Sequence, residues 1–535
     1  MDSYFSIRTR AVIKLLATLK EDTATGPDSI PAVILKKCAK VLGLPVAMLC
    51  RAMYWKSCWP EIWRLHWIVP IYKRNSPSIP TNYRGVHLTP ILSKVAEKIL
   101  GTPIIQFLEE TDAWGDAQFA FRKGRSSKDV LALVTSQWVL ALVRRLKIAI
   151  YCGDIAGAFD RVKTLILLMK SEHRGLCDES LGFLESYFKP RKAVIVVGGE
   201  KSKAIKLENT VYQGSVLGPP LWNTHFADIA KEVQEATFNE VIYADDLNAF
   251  KTYQESLPND LILDELTNCA KKCHAWGDKN QVEFEPTKEH FIIVHKKDPY
   301  GKSFKLLGAV YDTKLIMDET VHKIVTSVGW KLKMLFRMRS YFVIAKFVTL
   351  YKSQIWSSLE WATPAIFHAS KTILDSIDKI QSKFLKFEGI SEIEGFVHFN
   401  IAPLALRRKI AILGLLHRCA RLEAPKQLCD LFPRIQVRER ANNTRFSFKP
   451  DDVLLMDRTD GMNSTLLNRS IFGMVRFYNR LPKAVKATKL VSTFQGKLQD
   501  AAIGLCKKGM DIDDVISLKW LEFPLKKYAP VFNTN

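Results

Sequence analysis

Long hydrophobic runs are missing from this sequence. No stretch of about 18 uncharged apolar residues occurs in its 535 positions, so no membrane-spanning helix is expected. Cysteine is sparse and unpatterned: ten are scattered from Cys38 to Cys506, without a disulfide framework, which suits a reducing compartment. The opening residues Met1-Asp2-Ser3-Tyr4-Phe5 lack the basic-then-apolar order of a secretory signal, so the nucleus, the cytoplasm or both is the expected location. No internal repeat or low-complexity stretch is visible. Negative charge is also short: 55 acidic residues stand against 78 Lys and Arg, a formal charge of +23. The basic residues are spread along the chain, interleaved with Trp, Phe and Tyr, the pattern of a body that binds polyanions, with nucleic acid first.

What is present is ample for more than one core, with 47% hydrophobic residues in a mixed α and β pattern. A helix is expected over residues 9–19. A second follows the turn at Thr25-Gly26-Pro27-Asp28-Ser29, capped by Asp28 or Ser29 with Pro31 in its first turn. Strands are expected at 63–72 and 148–154, a helix at 91–108, and a hairpin from 194–197 through Gly198-Gly199 to 204–207. From about residue 310 the pattern is helical and basic, with Lys331, Lys333, Arg337 and Arg339 close together, and the sequence around 434–451 reads as a linker.

The chemistry concentrates in three places. Residues Tyr243-Ala244-Asp245-Asp246 follow the apolar pair Val241-Ile242, the pattern of a β-hairpin whose tip carries two carboxylates. Such a pair repels, and a divalent cation is the usual remedy. Asp154 ends the apolar strand at 148–154 and enters a small-residue turn, as either a metal ligand or a helix N-cap. Three carboxylates from two strands can hold two Mg²⁺ ions for a phosphoryl transfer. Between them, Gln213-Gly214 forms a turn that lets backbone approach a flat ligand, with Gln213 able to bond base or sugar.

The order of these blocks resembles the reverse transcriptase domain of non-LTR (LINE-type) retrotransposons. The resemblance runs through Thr25-Gly26-Pro27-Asp28-Ser29-Ile30-Pro31, Trp67-Ile68-Val69-Pro70-Ile71-Tyr72-Lys73 and Asn82-Tyr83-Arg84-Gly85-Val86-His87-Leu88. It continues in Ser93-Lys94-Val95-Ala96-Glu97-Lys98-Ile99-Leu100, Gln118-Phe119-Ala120-Phe121-Arg122-Lys123-Gly124-Arg125-Ser126, Val282-Glu283-Phe284-Glu285-Pro286-Thr287-Lys288 and Leu306-Leu307-Gly308-Ala309. Roughly residues 10–320 are covered. A further segment, Arg469-Ser470-Ile471-Phe472 to Tyr478-Asn479-Arg480-Leu481-Pro482, is similar to one that closes such proteins.

The resemblance implies an RNA-directed DNA polymerase with an α+β right-hand fold: fingers at 1–145, palm at 146–305, thumb at 306–390 and a helical basic region at 391–535. It implies Asp154, Asp245 and Asp246 as catalytic metal ligands, with the Ile155 carbonyl in the shell of two Mg²⁺ ions and Mn²⁺ able to substitute. Phe159 matches the steric gate that refuses a 2′-hydroxyl, though alone it reads as a core aromatic. Lys73 and Arg84 match the grip on the incoming triphosphate, Gln213 and Gly214 the nucleotide-facing turn, and Lys288 the donor to the leaving pyrophosphate. RNA template, DNA primer and dNTPs are the implied partners, with no membrane and with an endonuclease supplied from elsewhere. Three positions depart from the family: Gly85 where Pro is common, Glu285 for Asn, and the extra Pro220, which is expected to alter a helix start. Asp457-Arg458-Thr459-Asp460-Gly461 reads as a loop rather than an RNase H strand. Cys269, Cys273 and His274, like His417, Cys419 and Cys429, are poorly spaced for zinc. Two other readings stand beside the first: a catalytically silent RNA-binding scaffold, and a group II intron-type reverse transcriptase.

Overall fold

Apolar runs of short period form the strands of the computed structural model, which describes residues 5–73, 75–155, 157–207, 211–435, 453–462 and 464–521. In chain order they are β1 (Leu65–Tyr72), β2 (Tyr83–Leu88), β3 (Lys147–Gly153), β4 (Arg191–Val197), β5 (Glu200–Lys201), β6 (Ile205–Leu207), β7 (Asn239–Tyr243), β8 (Asp246–Tyr253), β9 (His290–Val294), β10 (Phe304–Leu306) and β11 (Ala309–Tyr311). Most of the rest is helical, so the expected α+β class holds. The expected helices appear as Thr9–Ala17 and Ile91–Glu110. The strand expected from residue 63 begins at Leu65, because Glu61–Arg64 is a 3₁₀ turn.

One capping expectation fails. The second helix is Ala32–Lys37, and its N-cap is Pro31, with no side-chain cap. Ser29 lies in the left-handed region at φ 55°, and Asp28 is spent on a turn, accepting from the Ile30 amide at 3.3 Å.

Contacts divide the chain into two compact units. The first comprises the described residues of Met1–Arg122, Tyr151–Ala249 and Glu265–Glu289. Its main sheet has the order β2-β1-β4-β5, with β6 also on β4. β1 and β2 are antiparallel from Trp67↔Leu88 to Tyr72↔Tyr83, whereas β1 and β4 run parallel. β4 turns back through Gly198 and Gly199, both at positive φ (59° and 92°), which a primed hairpin turn requires. A second sheet has the order β7-β8-β3-β9, and this unit holds β7 and the acid-bearing ends of β3 and β8.

The second unit comprises the described residues of Lys123–Ile150, Phe250–Asp264 and His290–Asn535. Its helix Ser127–Val143 is buried almost throughout and capped by Ser126, whose hydroxyl accepts from the Asp129 amide. Asp378 takes the Arg408 guanidinium in two bonds of 2.7 and 2.8 Å, and Arg418 reaches Asp129 at 2.6 Å. The closing motif has structural work here. Asn479 brackets Leu455, accepting from its amide at 2.9 Å and donating to its carbonyl at 2.8 Å, while the Tyr478 hydroxyl meets His417 Nδ1 at 3.2 Å. Residues 457–461 form a loop, with Asp457 Oδ1 accepting from the Thr459 amide at 2.8 Å. The linker expected around 434–451 falls, from 436 on, outside the described residues. No described helix is long and apolar enough to cross a membrane.

Candidate active site

The acidic hairpin forms as its sequence requires. β7 ends at Tyr243, β8 begins at Asp246, and Ala244 takes the left-handed conformation at φ 60°. A residue with a Cβ adopts this at a cost of about 1–2 kcal/mol, so neighbours must hold it there. Two fully buried side chains do so. Gln118 Oε1 accepts from the Ala244 amide and the Ala120 amide, each at 3.0 Å, and its Nε2 donates to the Ala244 carbonyl at 3.2 Å. Trp222 Nε1 donates to the same carbonyl at 3.0 Å. The segment carrying Gln118 also bonds along β7: the Phe119 amide donates to Ile242, and the Ile242 amide to Ala117, each at 2.9 Å.

Asp154 leaves the end of β3, a strand with every residue buried. Its carbonyl accepts from the Glu285 amide at 2.9 Å, and Ile155 bridges Phe284 in antiparallel fashion. The 3₁₀ turn Pro286–Lys288 then brings Lys288 Nζ to 2.5 Å from Asp154 Oδ2. Glu285, one of the departures from the family, is turned toward Thr287, accepting from its hydroxyl at 2.9 Å. Its charge still reaches Lys288, whose ammonium is held above its ordinary pKa first by the Asp154 hydrogen bond.

Asp245 shares this field. Its carboxyl is pushed above the usual carboxylate range, first by burial and then by the Asp154 charge, while its own amide, Lys288 and Arg84 act the other way. The Asp246 charge adds to burial in raising the Cys152 thiol. Among the described residues no group of three or more His, Cys, Asp and Glu side chains stands in metal-holding geometry, and Lys288 sits where a cation on Asp154 would bind.

The finger residues converge. Lys73, Arg84 and Gln213 line one cavity of about 330 Å³, together with Gly157 and His87. β-pairing puts Arg84 opposite Ile71, and the Lys73 amide donates to the Asn82 carbonyl at 2.8 Å, so both basic side chains leave the same end of the β1–β2 ribbon. Gly85 is accommodated within β2: a Cβ there would meet Ile68 at 3.0 Å. Gln213 is fixed by its carbonyl, which accepts from the His87 amide at 3.0 Å, and its Oε1 is buried without a hydrogen-bond partner among the described residues. Gly214 must be glycine, since φ is 106° and a Cβ would stand 2.9 Å from the His87 carbonyl. Glu97, fully buried, completes the turn by accepting from the Val216 amide at 2.7 Å. The following helix, Gly218–Phe226, takes Pro219 and Pro220 in its first turn, where no amide hydrogen is needed; the extra proline leaves its start intact.

Phe159 does not figure among the described residues lining that cavity. Its half-buried ring instead packs on Trp222, centroids 5.8 Å apart at 30°. Gln118, Trp222 and Glu97 therefore act on the site without having been singled out by the sequence. The available signal was a lone polar residue within an apolar run, as at Gln118 in Ala117-Gln118-Phe119-Ala120-Phe121.

The family model for reverse transcriptase (RNA-dependent DNA polymerase) matches residues 71–311. The chain is 24% identical over 409 residues to the probable RNA-directed DNA polymerase from transposon X-element of Drosophila melanogaster, covering 72% of this chain and 44% of that protein. It is also 24% identical over 403 residues to the RNA-directed DNA polymerase from mobile element jockey of Drosophila funebris, covering 70% and 43%. A solved telomerase from Candida albicans, in complex with a fragment of telomeric RNA, aligns at 15% identity and a TM-score of 0.34 over 65% of this chain and 61% of that one. The chain thus spans less than half the length of the two curated relatives. With the acidic hairpin, the Asp154 strand and the Gln213 turn all inside the matched segment, residues 71–311 belong to the reverse transcriptase family.

Proposed function

We propose that this chain is an RNA-directed DNA polymerase that extends a DNA primer on an RNA template from dNTPs. The observation that carries the reading is the shared electrostatics of Asp154, Asp245, Lys288 and Arg84, the last of which also lines the cavity with Lys73 and Gln213. Fingers at 1–145, palm at 146–305, thumb at 306–390 and a basic region from 391 are the corresponding division, and a nuclear or cytoplasmic site of action accompanies it.

The donor set suits Mg²⁺, with Mn²⁺ as substitute: Asp154, Asp245, Asp246 and the Ile155 carbonyl are hard oxygen donors, and the Asp245 carboxyl, raised first by burial and then by the Asp154 charge, is one that a cation would stabilise as the anion. Two such ions, when bound, would neutralise the triphosphate and acidify the primer hydroxyl. The chain's own residues supply the rest. Lys73 and Arg84 bind phosphate oxygens, and Gln213 offers its unpartnered Oε1 to base or sugar. The primer 3′-hydroxyl loses its proton to solvent water as its oxygen bonds to the α-phosphorus and the bond to pyrophosphate breaks, and Lys288, released from Asp154, gives a proton to the leaving oxygen and regains one from solvent. Phe159 refuses a ribose 2′-hydroxyl.

Primer extension on poly(rA)/oligo(dT) with dTTP and Mg²⁺ tests this reading, with Asp245→Ala as control. Incorporation that falls by about 10³-fold or more in the variant is expected. A chain that incorporates nothing across a range of salt and metal is a silent scaffold instead.

A further inference from the structure

Behind the Gln213 turn lies a buried polar chain that polymerase chemistry, as described above, does not use. His66 on β1 is fully buried, His87 on β2 is 8% exposed, and Arg191 at the start of β4 is 1% exposed. A guanidinium can only donate. Arg191 Nη1 stands 2.9 Å from His66 Nε2, and its Nη2 donates to the Tyr187 carbonyl at 2.8 Å. His66 must therefore accept at Nε2. Burial, aided by the Arg191 charge, lowers the His66 pKa to about 2 and that of His87 to about 4, so both rings are neutral.

A neutral imidazole carries one N–H. With Nε2 of His66 accepting, its proton is on Nδ1, which faces His87 Nδ1 at 3.2 Å. His87 Nδ1 must then accept, and its own proton is forced onto Nε2. That nitrogen has no hydrogen-bond partner among the described residues, and His87 lines the same cavity as Lys73, Arg84 and Gln213. The backbone joins the two polar residues, since the His87 amide donates to the Gln213 carbonyl at 3.0 Å. The alternative, a pair of core histidines satisfied by each other, leaves the buried Oε1 of Gln213 without a partner among the described residues.

We propose that His87 binds the incoming nucleotide: held as its Nε2–H tautomer by Arg191 through His66, it donates that hydrogen to an acceptor atom of the dNTP, beside Gln213. This rests on the polymerase reading. His87 is a specificity element for the nucleotide site, and His66 and Arg191 are positioning residues. A neutral donor adds direction rather than charge, complementing Lys73 and Arg84.

Two measurements test it. In the full chain with ¹⁵N-labelled histidine, signals are assigned by the loss of one in His66→Phe and another in His87→Gln. His87 is expected as the Nε2–H tautomer, with its Nε2 resonance shifting on addition of dTTP alone. An Nδ1–H tautomer, or a resonance unmoved at saturating dTTP, overturns the proposal. In primer extension, His87→Leu is expected to raise the dNTP KM about fivefold with little change in kcat, the size of one neutral hydrogen bond, and His87→Gln to restore it. An equal rise for all four dNTPs assigns the acceptor to sugar or phosphate, and an unequal one to the base. A change confined to primer–template affinity overturns the assignment. The two readings fail separately: a chain that polymerises with His87 unmoved by dTTP loses only the contact. A chain that makes no DNA, yet shifts His87 on dTTP, loses only the polymerase.

Discussion

Trp222 Nε1 donates to the Ala244 carbonyl at 3.0 Å, and so ties a buried helix to the tip of the acidic hairpin. Ala244 is in the left-handed region, so the position of Asp245 depends on whatever keeps that peptide in place. Trp222→Phe keeps the ring and loses the donor. The expected result is about 1 kcal/mol of lost stability and a kcat reduced about tenfold, with nucleotide KM little changed. Gln118→Leu, which strips partners from two amides and a carbonyl, should cost more, about 2–4 kcal/mol. Thermal melts and single-nucleotide extension measure both. A Trp222→Phe enzyme with unmutated kcat would mean the hairpin does not depend on this bond.

Phe159 rests on the same indole, so the proposed gate and the hairpin share a support. Phe159→Ala should raise ribonucleotide relative to deoxynucleotide incorporation by about tenfold or more, the range that steric exclusion by one ring supports. Because Trp222 loses one of the rings packed on it, the deoxynucleotide rate should fall as well, by a smaller factor. Extension with UTP against dTTP reads both, and an unchanged ratio removes Phe159 from the gate.

The sequence made the local parts of this site legible. The β7–β8 hairpin, the buried β3 and the Gly198-Gly199 turn each follow from periodicity and turn chemistry within a few residues. The convergence of Lys73, Arg84 and Gln213 on one cavity was legible only through the order of motifs, since no local pattern joins positions 73 and 213. What stayed hidden was tertiary. The hold of Gln118 on Ala244, of Glu97 on Val216 and of Arg191 on His66 joins residues about 100 or more positions apart, apart from any repeating pattern. The failed cap at Asp28 and Ser29 is the opposite case, where residues of good capping type were taken by a turn.

Asp245 carries a pH signature in the metal-free chain. A carboxyl whose folded pKa is raised opposes folding at pH above that value, and the opposition fades as pH falls through it. Asp245→Asn should therefore raise Tm at pH 7 in the presence of chelator, and this advantage should vanish in acid as the native carboxyl protonates. Added Mg²⁺ should raise the Tm of the unmutated chain and leave Asp245→Asn nearly unmoved. Equal Mg²⁺ responses in the two chains would place the ion elsewhere.

Lys288 competes for Asp154, which it touches at 2.5 Å. Lys288→Ala should thus lower the Mg²⁺ concentration at half-maximal rate severalfold. If the ammonium is also the proton donor, kcat should fall about 10²-fold in the same variant. Magnesium titrations of primer extension separate the two effects. Tighter Mg²⁺ dependence with unchanged kcat would leave Lys288 as a counterion only, and no change in either would detach it from the site.

The basic cluster expected around residues 331–339 is not uniform. Arg339 gives Nε to both oxygens of Glu388, at 2.7 and 2.9 Å, and so serves the fold. On the helix Asp318–Arg337, by contrast, Trp330 is 65% exposed and Lys333 Nζ lies 4.9 Å from its ring, with exposed Met334 on the next turn. An exposed aromatic beside a cation offers a nucleic-acid strand a stacking face and a phosphate contact. Lys333→Ala should weaken primer–template binding and flatten the plot of log affinity against log salt by about 0.9, the share of one phosphate. Trp330→Ala should weaken binding by about 1–3 kcal/mol without altering that slope, because it removes contact and no charge. Arg339→Ala should instead lower Tm, leaving Glu388 unpaired where its side chain is 2% exposed. If Lys333→Ala leaves the salt slope unchanged, this helix face does not meet the phosphate backbone.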